Sequence, residues 1–148
     1  MRDKKNIDYL IVRENTEGEY SDIGGIENKN QPDEFVFQKA IFSKKGTERI
    51  VNYAYELAAK RKNKLTSATK SNGIIHSMTY WDNIVDSISK KYPNVTTSRY
   101  HIDILSAQII KNPDWFDVIV ASNLFGDILS DLGLSLIHIS EPTRPLDI

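Results

Sequence analysis

The feature that most restricts the fold of this chain is the alternation of short apolar runs with segments of helical periodicity. Ile7–Val12, Lys64–Thr69 and Phe116–Ala121 have the length and the β-branched or small side chains of buried strands, and Val95–Tyr100 is a further β-rich run. Apolar residues spaced three and four apart predict helices over residues 50–58, 77–91, 102–110 and 125–132. Strands that alternate with helices indicate an α/β fold, in which helices cover a sheet.

The segment between the first strand and the first helix is predicted to form an arm. The extended run Glu34–Phe42 follows a polar, proline-containing stretch, Glu27–Asp33, and the two suggest a β-hairpin arm over Gly24–Phe42. Ser43 or Thr47 is expected to cap the start of the helix that follows.

Composition excludes several classes of protein. The chain has no cysteine, which excludes disulfides, thiolate catalysis and zinc–thiolate sites. Its net charge is −1, and its lysines and arginines are spread along the chain, so there is no basic stripe for nucleic acid or for a membrane surface. No apolar run approaches the roughly 20 residues that span a bilayer, and the polar N-terminus lacks a signal-peptide core. We expect one cytoplasmic α/β domain.

The first candidate site is a pair of carboxylates, Asp127 and Asp131. They lie four residues apart on a predicted helix, on one face, directly after the strand Phe116–Ala121. Ligands of open α/β sheets bind at the carboxyl ends of strands, and two oxygen donors at such a place suit Mg²⁺ or Mn²⁺. A solvated helix with acids near its favourable N-terminus explains the same pair.

Other residues at strand ends are candidates for the same site. Asp103 follows a strand and could be a third carboxylate, or simply an acid at a helix N-terminus. Lys70 could serve as a base beside a metal-bound hydroxyl, although exposed lysines are common. Arg13 offers a fork for a carboxylate, and Tyr20 could be a general acid, although, taken alone, a surface ion pair and a packed aromatic explain them better.

The remaining local signals are weak. His76 and His101 lack the spacing of metal ligands and are expected to be surface or packing residues. The chain contains no glycine-rich dinucleotide fingerprint, no P-loop and no nucleophile elbow.

Five longer motifs occur together in one order. They are RENTEGEYSDIGG (13–25), LTSATKSNGI (65–74), MTYWDNIV (78–85), HIDILSAQII (101–110) and FDVIVASNLFGDILSDLG (116–133). In these motifs the chain resembles the isocitrate/isopropylmalate dehydrogenase family of β-decarboxylating dehydrogenases, and the match runs from about Asp8 to Gly133. TKSNGI and HIDIL resemble the branch of that family that acts on tartrate and D-malate. The resemblance implies an isopropylmalate dehydrogenase-like fold, here incomplete.

The resemblance also implies a role for each matched residue. Arg13 corresponds to the arginine that holds the substrate carboxylate, and Tyr20 to the tyrosine that protonates the enol left by decarboxylation. Lys70 corresponds to the lysine that assists removal of the hydroxyl proton. Asn72 corresponds to an asparagine near substrate and nicotinamide, and Asn123 is expected at the cofactor.

The implied metal ligands are Asp103, Asp127 and Asp131, and the implied cofactors are NAD and Mg²⁺ or Mn²⁺. The resemblance further implies a homodimer with a shared site. Lys70 and Asp103 would come from one subunit, and Arg13, Tyr20, Asp127 and Asp131 from the other. The substrate would be a small 2-hydroxy diacid.

The resemblance covers only the central part of such an enzyme, residues 1–133. Residues 134–148 contain LSLIHISEPTRP, which looks like a translated sequencing-library adapter, and we expect a non-native tail there rather than a divergent terminus. Isopropylmalate and isocitrate remain alternative substrates, because the residues that choose between diacids are expected largely outside this stretch. A non-catalytic dimerisation module, built on the arm, is the alternative from another class of protein.

Overall fold

The computed structural model describes residues 7–140, with side chains described as far as Leu136. Alternating strands and helices form a sheet with helical cover, and a separate hairpin projects from it. In chain order the elements are β1 (Leu10–Arg13), β2 (Gly24–Glu27), β3 (Phe35–Gln38), α1 (Lys44–Lys60), β4 (Lys64–Thr69), α2 (Ser77–Ser89), β5 (Thr96–His101), α3 (Ile102–Lys111), a 3₁₀ turn (Pro113–Trp115), β6 (Val118–Ala121) and α4 (Asn123–Ser140).

The main sheet has four parallel strands in the order β1-β6-β4-β5. Strand β6 lies between β1 and β4, with Val120 opposite Val12 on one side and Ser67 on the other. All four residues of β6 are buried. Apolar strands buried on both faces are typical of parallel sheets covered by helices.

Side-chain hydrogen bonds set the start of α1 and attach α2 to this sheet. The Ser43 hydroxyl caps α1 by accepting a hydrogen bond from the Gly46 N–H at 3.0 Å, whereas Thr47 is buried within the helix and does not cap it. In α2, the fully buried Trp81 donates its indole N–H to the Ser67 hydroxyl of β4 at 2.9 Å. Buried polar groups require such partners, so the Trp81 bond fixes the position of α2 along the sheet, whereas the Ser43 bond sets where α1 begins.

The hairpin of β2 and β3 stands apart from the core. Its strands pair antiparallel, with Gly24 opposite Gln38, and every residue of both strands is exposed. Val36 is 72% exposed. The predicted arm is therefore confirmed, with strands shorter than the sequence pattern indicated.

The predicted α/β fold is confirmed, and the differences lie at element boundaries. Strand β1 starts at Leu10 rather than Ile7, because Asp8 instead accepts hydrogen bonds from Arg61. Strand β6 starts at Val118 rather than Phe116, since Phe116 ends the preceding 3₁₀ turn, where its N–H donates to the Pro113 carbonyl at 3.4 Å.

The last helix is longer than predicted. The pattern ended it at residue 132, and α4 continues to Ser140, so it includes the first seven residues of the predicted tail. The rest of that tail, residues 141–148, and the polar N-terminus, residues 1–6, lie outside the described residues. Within the described part, no helix combines the length and the hydrophobicity that crossing a membrane requires.

We predict that Ile119→Ala strongly destabilises the fold, because Ile119 is fully buried on the central strand. Truncation of such a side chain costs about 2–5 kcal/mol, which urea unfolding followed by circular dichroism would measure. Val36→Ala on the exposed hairpin is the control and should change the free energy of unfolding by less than about 0.5 kcal/mol. Equal losses in the two variants would contradict the assignment of the core.

Candidate active site

The candidate residues meet at one edge of the sheet because all four strands run in the same direction. Arg13 is the last residue of β1, and Lys70 directly follows β4. Asp103 lies in the first turn of α3, immediately after β5, and α4 begins two residues after β6. The carboxyl edge of a parallel sheet is where ligands of α/β proteins bind.

Arg13 joins the end of β1 to the first turns of α4. Its Nε and Nη2 atoms both donate to Oδ1 of Asn123, at 3.2 and 2.8 Å. Its Nη1 atom donates to Oδ1 of Asp127 at 3.3 Å. The planar guanidinium is thus fixed in orientation by two residues one helical turn apart.

Gly126 makes room for this arrangement. A Cβ at this position would lie 2.5 Å from Cγ and 2.8 Å from Cβ of Arg13. The arginine side chain therefore crosses α4 in direct contact with its backbone, which only glycine permits here.

Tyr20 approaches the same carboxylate from a loop. Its hydroxyl donates to Oδ2 of Asp127 at 3.2 Å, so the two Asp127 oxygens serve Tyr20 and Arg13 separately. Desolvation and the negative charge of Asp127 raise the pKa of Tyr20 above its ordinary value. The phenol is protonated at neutral pH, as it already is at its ordinary pKa of about 10, and the residue remains 53% exposed.

Three glutamates hold the loop that carries Tyr20. Glu14 is buried and accepts a hydrogen bond from the backbone N–H of Thr16 at 2.7 Å. Glu17 accepts hydrogen bonds from the N–H of Ser43 at 3.0 Å and from its hydroxyl at 2.7 Å. Glu19 accepts hydrogen bonds from the start of α4.

Lys70 and Asp103 form a second cluster. Pairing of β4 with β5 sets Thr69 opposite His101 at the strand ends. Just after these ends, Lys70 Nζ lies 3.1 Å from Oδ1 of Asp103. The hydrogen bond from the Lys70 ammonium holds the pKa of the Asp103 carboxyl below its ordinary value. Asn72 is exposed in the turn that follows Lys70.

The predicted metal ligands divide between the two clusters. Asp127 and Asp131 lie four residues apart on α4 and offer hard oxygen donors of the kind that Mg²⁺ and Mn²⁺ prefer. Asp103 belongs to the other cluster, with Lys70. Across the described residues, no three His, Cys, Asp or Glu side chains are grouped as a complete metal site. The donor chemistry fits a divalent ion, and a third protein ligand would have to come from elsewhere.

Asn123 has an internal role that the sequence did not indicate. It is buried; its Oδ1 accepts from Arg13, and its Nδ2 donates to the Glu17 carbonyl at 3.2 Å. The structure thus uses this amide to orient Arg13, while its expected contact with a cofactor stays a prediction.

Of the histidines, His76 is exposed and His101 is partly buried, with no hydrogen-bond partner for its Nδ1 among the described residues.

Sequence reasoning missed Glu19 and Gly126, which act through contacts more than 100 positions away in the chain. One signal for Glu19 existed: the first turn of α4 contains no acidic residue, so its N-terminus needed an acceptor from another segment.

Comparisons with known proteins agree on one family. The family model described as isocitrate/isopropylmalate dehydrogenase matches residues 1–138. The chain is 54% identical over 129 residues to the decarboxylating D-malate dehydrogenase of Escherichia coli, and 55% identical over 130 residues to the tartrate dehydrogenase/decarboxylase of Pseudomonas putida. Each alignment covers 86% of this chain but only 36% of the relative, so the chain spans about a third of their length.

A solved structure supports the same relationship. The isocitrate dehydrogenase from Methylococcus capsulatus superimposes with a TM-score of 0.78 at 36% identity, over 87% of this chain and 38% of that chain. The parallel sheet and its helices are therefore a part of a larger dehydrogenase fold.

We predict that Gly126→Ala displaces Arg13 from Asn123 and Asp127, because the new Cβ would overlap the arginine stem. Overpacking costs about 1–3 kcal/mol, while alanine in a helix regains about 1 kcal/mol, so stability is a poor readout. A crystal structure of the variant would show the displaced guanidinium directly. Gly25→Ala, where the nearest atom would be 3.7 Å away, is the control, and an unmoved Arg13 in Gly126→Ala would refute the steric argument.

Proposed function

The chain belongs to the isocitrate/isopropylmalate dehydrogenase family, and we propose that it is the central part of an enzyme that oxidises and decarboxylates a small 2-hydroxy diacid. The observation that carries this proposal is the convergence of Arg13 and Tyr20 on Asp127 at the carboxyl edge of the sheet. Arg13 can bind a carboxylate, Tyr20 can donate a proton, and Asp127 can ligate a metal.

Substrate binding falls to Arg13. Its guanidinium is held by Asn123 and Asp127 yet remains partly exposed. The exposed part can therefore bind an incoming carboxylate while the guanidinium keeps its orientation. Arginine suits this task because its planar donors match the geometry of a carboxylate.

Asp127 and Asp131, with Asp103 of a second copy, would hold the divalent ion. A bound Mg²⁺ or Mn²⁺ would supply a Lewis acid for the substrate hydroxyl and for the developing enolate, and NAD would supply the hydride acceptor. Asn72 and Asn123 are the residues of this chain that we assign to the nicotinamide side of the site.

Two residues of the chain handle protons. Lys70 assists removal of the hydroxyl proton as the hydride leaves, which gives a 2-keto acid. The β-carboxylate then departs as CO₂, and the electrons of the broken carbon–carbon bond form an enolate. Tyr20, whose hydroxyl lies against Asp127, delivers a proton to the enolate carbon, since a phenol is protonated at neutral pH at its ordinary pKa of about 10.

A homodimer with shared sites accounts for the two clusters. Lys70 contacts Asp103, and Tyr20 contacts Asp127, in separate groups of the same chain. A second copy would bring the Lys70 cluster of one subunit to the Asp127 cluster of the other, and would complete the set of three carboxylates. We also propose that residues 1–133 are the central part of a cytoplasmic decarboxylating dehydrogenase. Residues 134–148 would be a non-native tail.

D-malate or tartrate is the substrate we favour, because the two relatives named for these acids are 54% and 55% identical to the chain, against 36% for the isocitrate dehydrogenase. Isopropylmalate and isocitrate are the second choice. The exposed apolar hairpin favours a dimerisation role in addition to catalysis.

The test is a chimera in which residues 8–133 replace the matching segment of the Escherichia coli D-malate dehydrogenase. We predict NADH formation with D-malate or tartrate that requires Mn²⁺ or Mg²⁺, and none from the isolated 148-residue chain. Positioning of reactants supplies on the order of 7–11 kcal/mol of barrier reduction, and the chain alone spans only 36% of that enzyme.

In the same chimera, Lys70→Met should lower kcat by about 10²–10⁴-fold, the usual contribution of an acid–base group, without unfolding the protein. Lys60→Met, at the exposed end of α1, is the matched control and should leave kcat unchanged. A chimera that forms no NADH from D-malate or tartrate would contradict the proposed function, and one indifferent to Lys70→Met would remove the proposed base.

A further inference from the structure

Glu19 makes two hydrogen bonds at the start of α4. Its Oε1 accepts from the backbone N–H of Leu124 at 3.0 Å, and its Oε2 accepts from the Ser122 hydroxyl at 2.7 Å. The Ser122 hydroxyl in turn accepts from the N–H of Phe125 at 3.4 Å. A glutamate from the loop after β1 thus supplies the negative charge that the helix N-terminus lacks in its own first turn.

This arrangement is favourable on electrostatic grounds. The first N–H groups of a helix have no partner within the helix, and the helix dipole concentrates positive charge there. A carboxylate that accepts from one of these N–H groups satisfies the donor and interacts favourably with the dipole. The attachment of Glu19 is therefore a strong contact between the loop and α4.

The residue next to Glu19 is the proposed proton donor. Tyr20 contacts Asp127 one helical turn beyond Leu124, so Glu19 and Tyr20 attach the loop to α4 about one turn apart. Gly18, with a φ of +109°, turns the chain into this position, and the Glu17 carbonyl accepts from Asn123 at 3.2 Å.

We propose that Glu19 is a positioning residue for Tyr20: its attachment to the N-terminus of α4 sets the Tyr20 hydroxyl against Asp127. The catalytic half of this proposal rests on the function proposed above. The helix itself is anchored independently, since Phe125 and Leu129 are buried in the core. Loss of the Glu19 carboxylate therefore frees the Glu19–Tyr20 end of the loop, whereas the bond between Asn123 and the Glu17 carbonyl and the Asp127 and Asp131 backbone stay in place.

The first test is physical and uses the 148-residue chain. In Glu19→Ala, amide hydrogen exchange at Leu124 should become faster, and a crystal structure should show the Tyr20 hydroxyl out of hydrogen-bond distance of Asp127. Glu19→Gln keeps an acceptor oxygen and should retain part of the protection. Glu56→Ala, which removes an exposed glutamate from α1, is the control and should change neither measurement. A Tyr20–Asp127 bond that persists in Glu19→Ala would overturn the proposal.

The second test is a double-mutant cycle in the active chimera. We expect Glu19→Ala to lower kcat by about ten-fold or more, part of the roughly 10²–10⁴-fold effect of a positioned acid, while the Mn²⁺ activation constant stays the same. In a Tyr20→Phe background the same substitution should cause little further loss. Additive losses, or a weakened Mn²⁺ activation constant, would assign Glu19 a general structural role and overturn the proposal.

The positioning role of Glu19 can still be tested if Glu19→Ala does not fold or if the chimera is inactive. If Glu19→Ala does not fold, Ser122→Ala removes one of the two bonds and should produce a smaller change in the same direction; no change in Tyr20 would refute the proposal. A chimera without turnover on any diacid would refute the proposed function, whereas the hydrogen-exchange and distance measurements would still decide whether Glu19 positions Tyr20.

Discussion

The candidate site depends on one constraint, the pairing of strand β6 between β1 and β4. Because β6 is buried on both faces and parallel to its neighbours, its end fixes where α4 begins. The same pairing carries Arg13 to the first turn of that helix, and the β4–β5 pairing carries Lys70 to Asp103. The sheet thus determines which side chains can meet, and the loops refine their geometry.

The N-terminus of α4 is where most of these contacts are made. Glu19 satisfies its free N–H, Asn123 orients Arg13, and Asp127 accepts from both Arg13 and Tyr20. Each group at this point has at least one fixed partner, so the guanidinium and the phenol are held in a defined arrangement before a ligand binds. Such preorganisation lowers the cost of ordering groups during binding or reaction.

Local patterns in the sequence were enough to predict the elements but not their long-range contacts. The strand Lys64–Thr69 was predicted with its observed ends, because small and β-branched residues there are followed by a turn. The i,i+4 spacing likewise put Asp127 and Asp131 on one helix. The absence of an acid from the first turn of α4 indicated that its N-terminus needed an acceptor from elsewhere. Neither the choice of Glu19 for that cap nor the space left by Gly126 was predictable, since each depends on a segment brought close only by the order of the strands.

The central claim is that Lys70 and Asp103 of one copy complete the site of Arg13, Tyr20 and Asp127 of another. Subunit complementation tests it most directly: inactive Lys70→Met and Tyr20→Phe chimeras are mixed, unfolded and refolded together. In a two-fold dimer with shared sites, each mixed dimer has one intact site, so activity should return to roughly a quarter of the unsubstituted value. A mixture no more active than the separate variants would contradict the account, because it would mean that both residues serve the same site from a single chain.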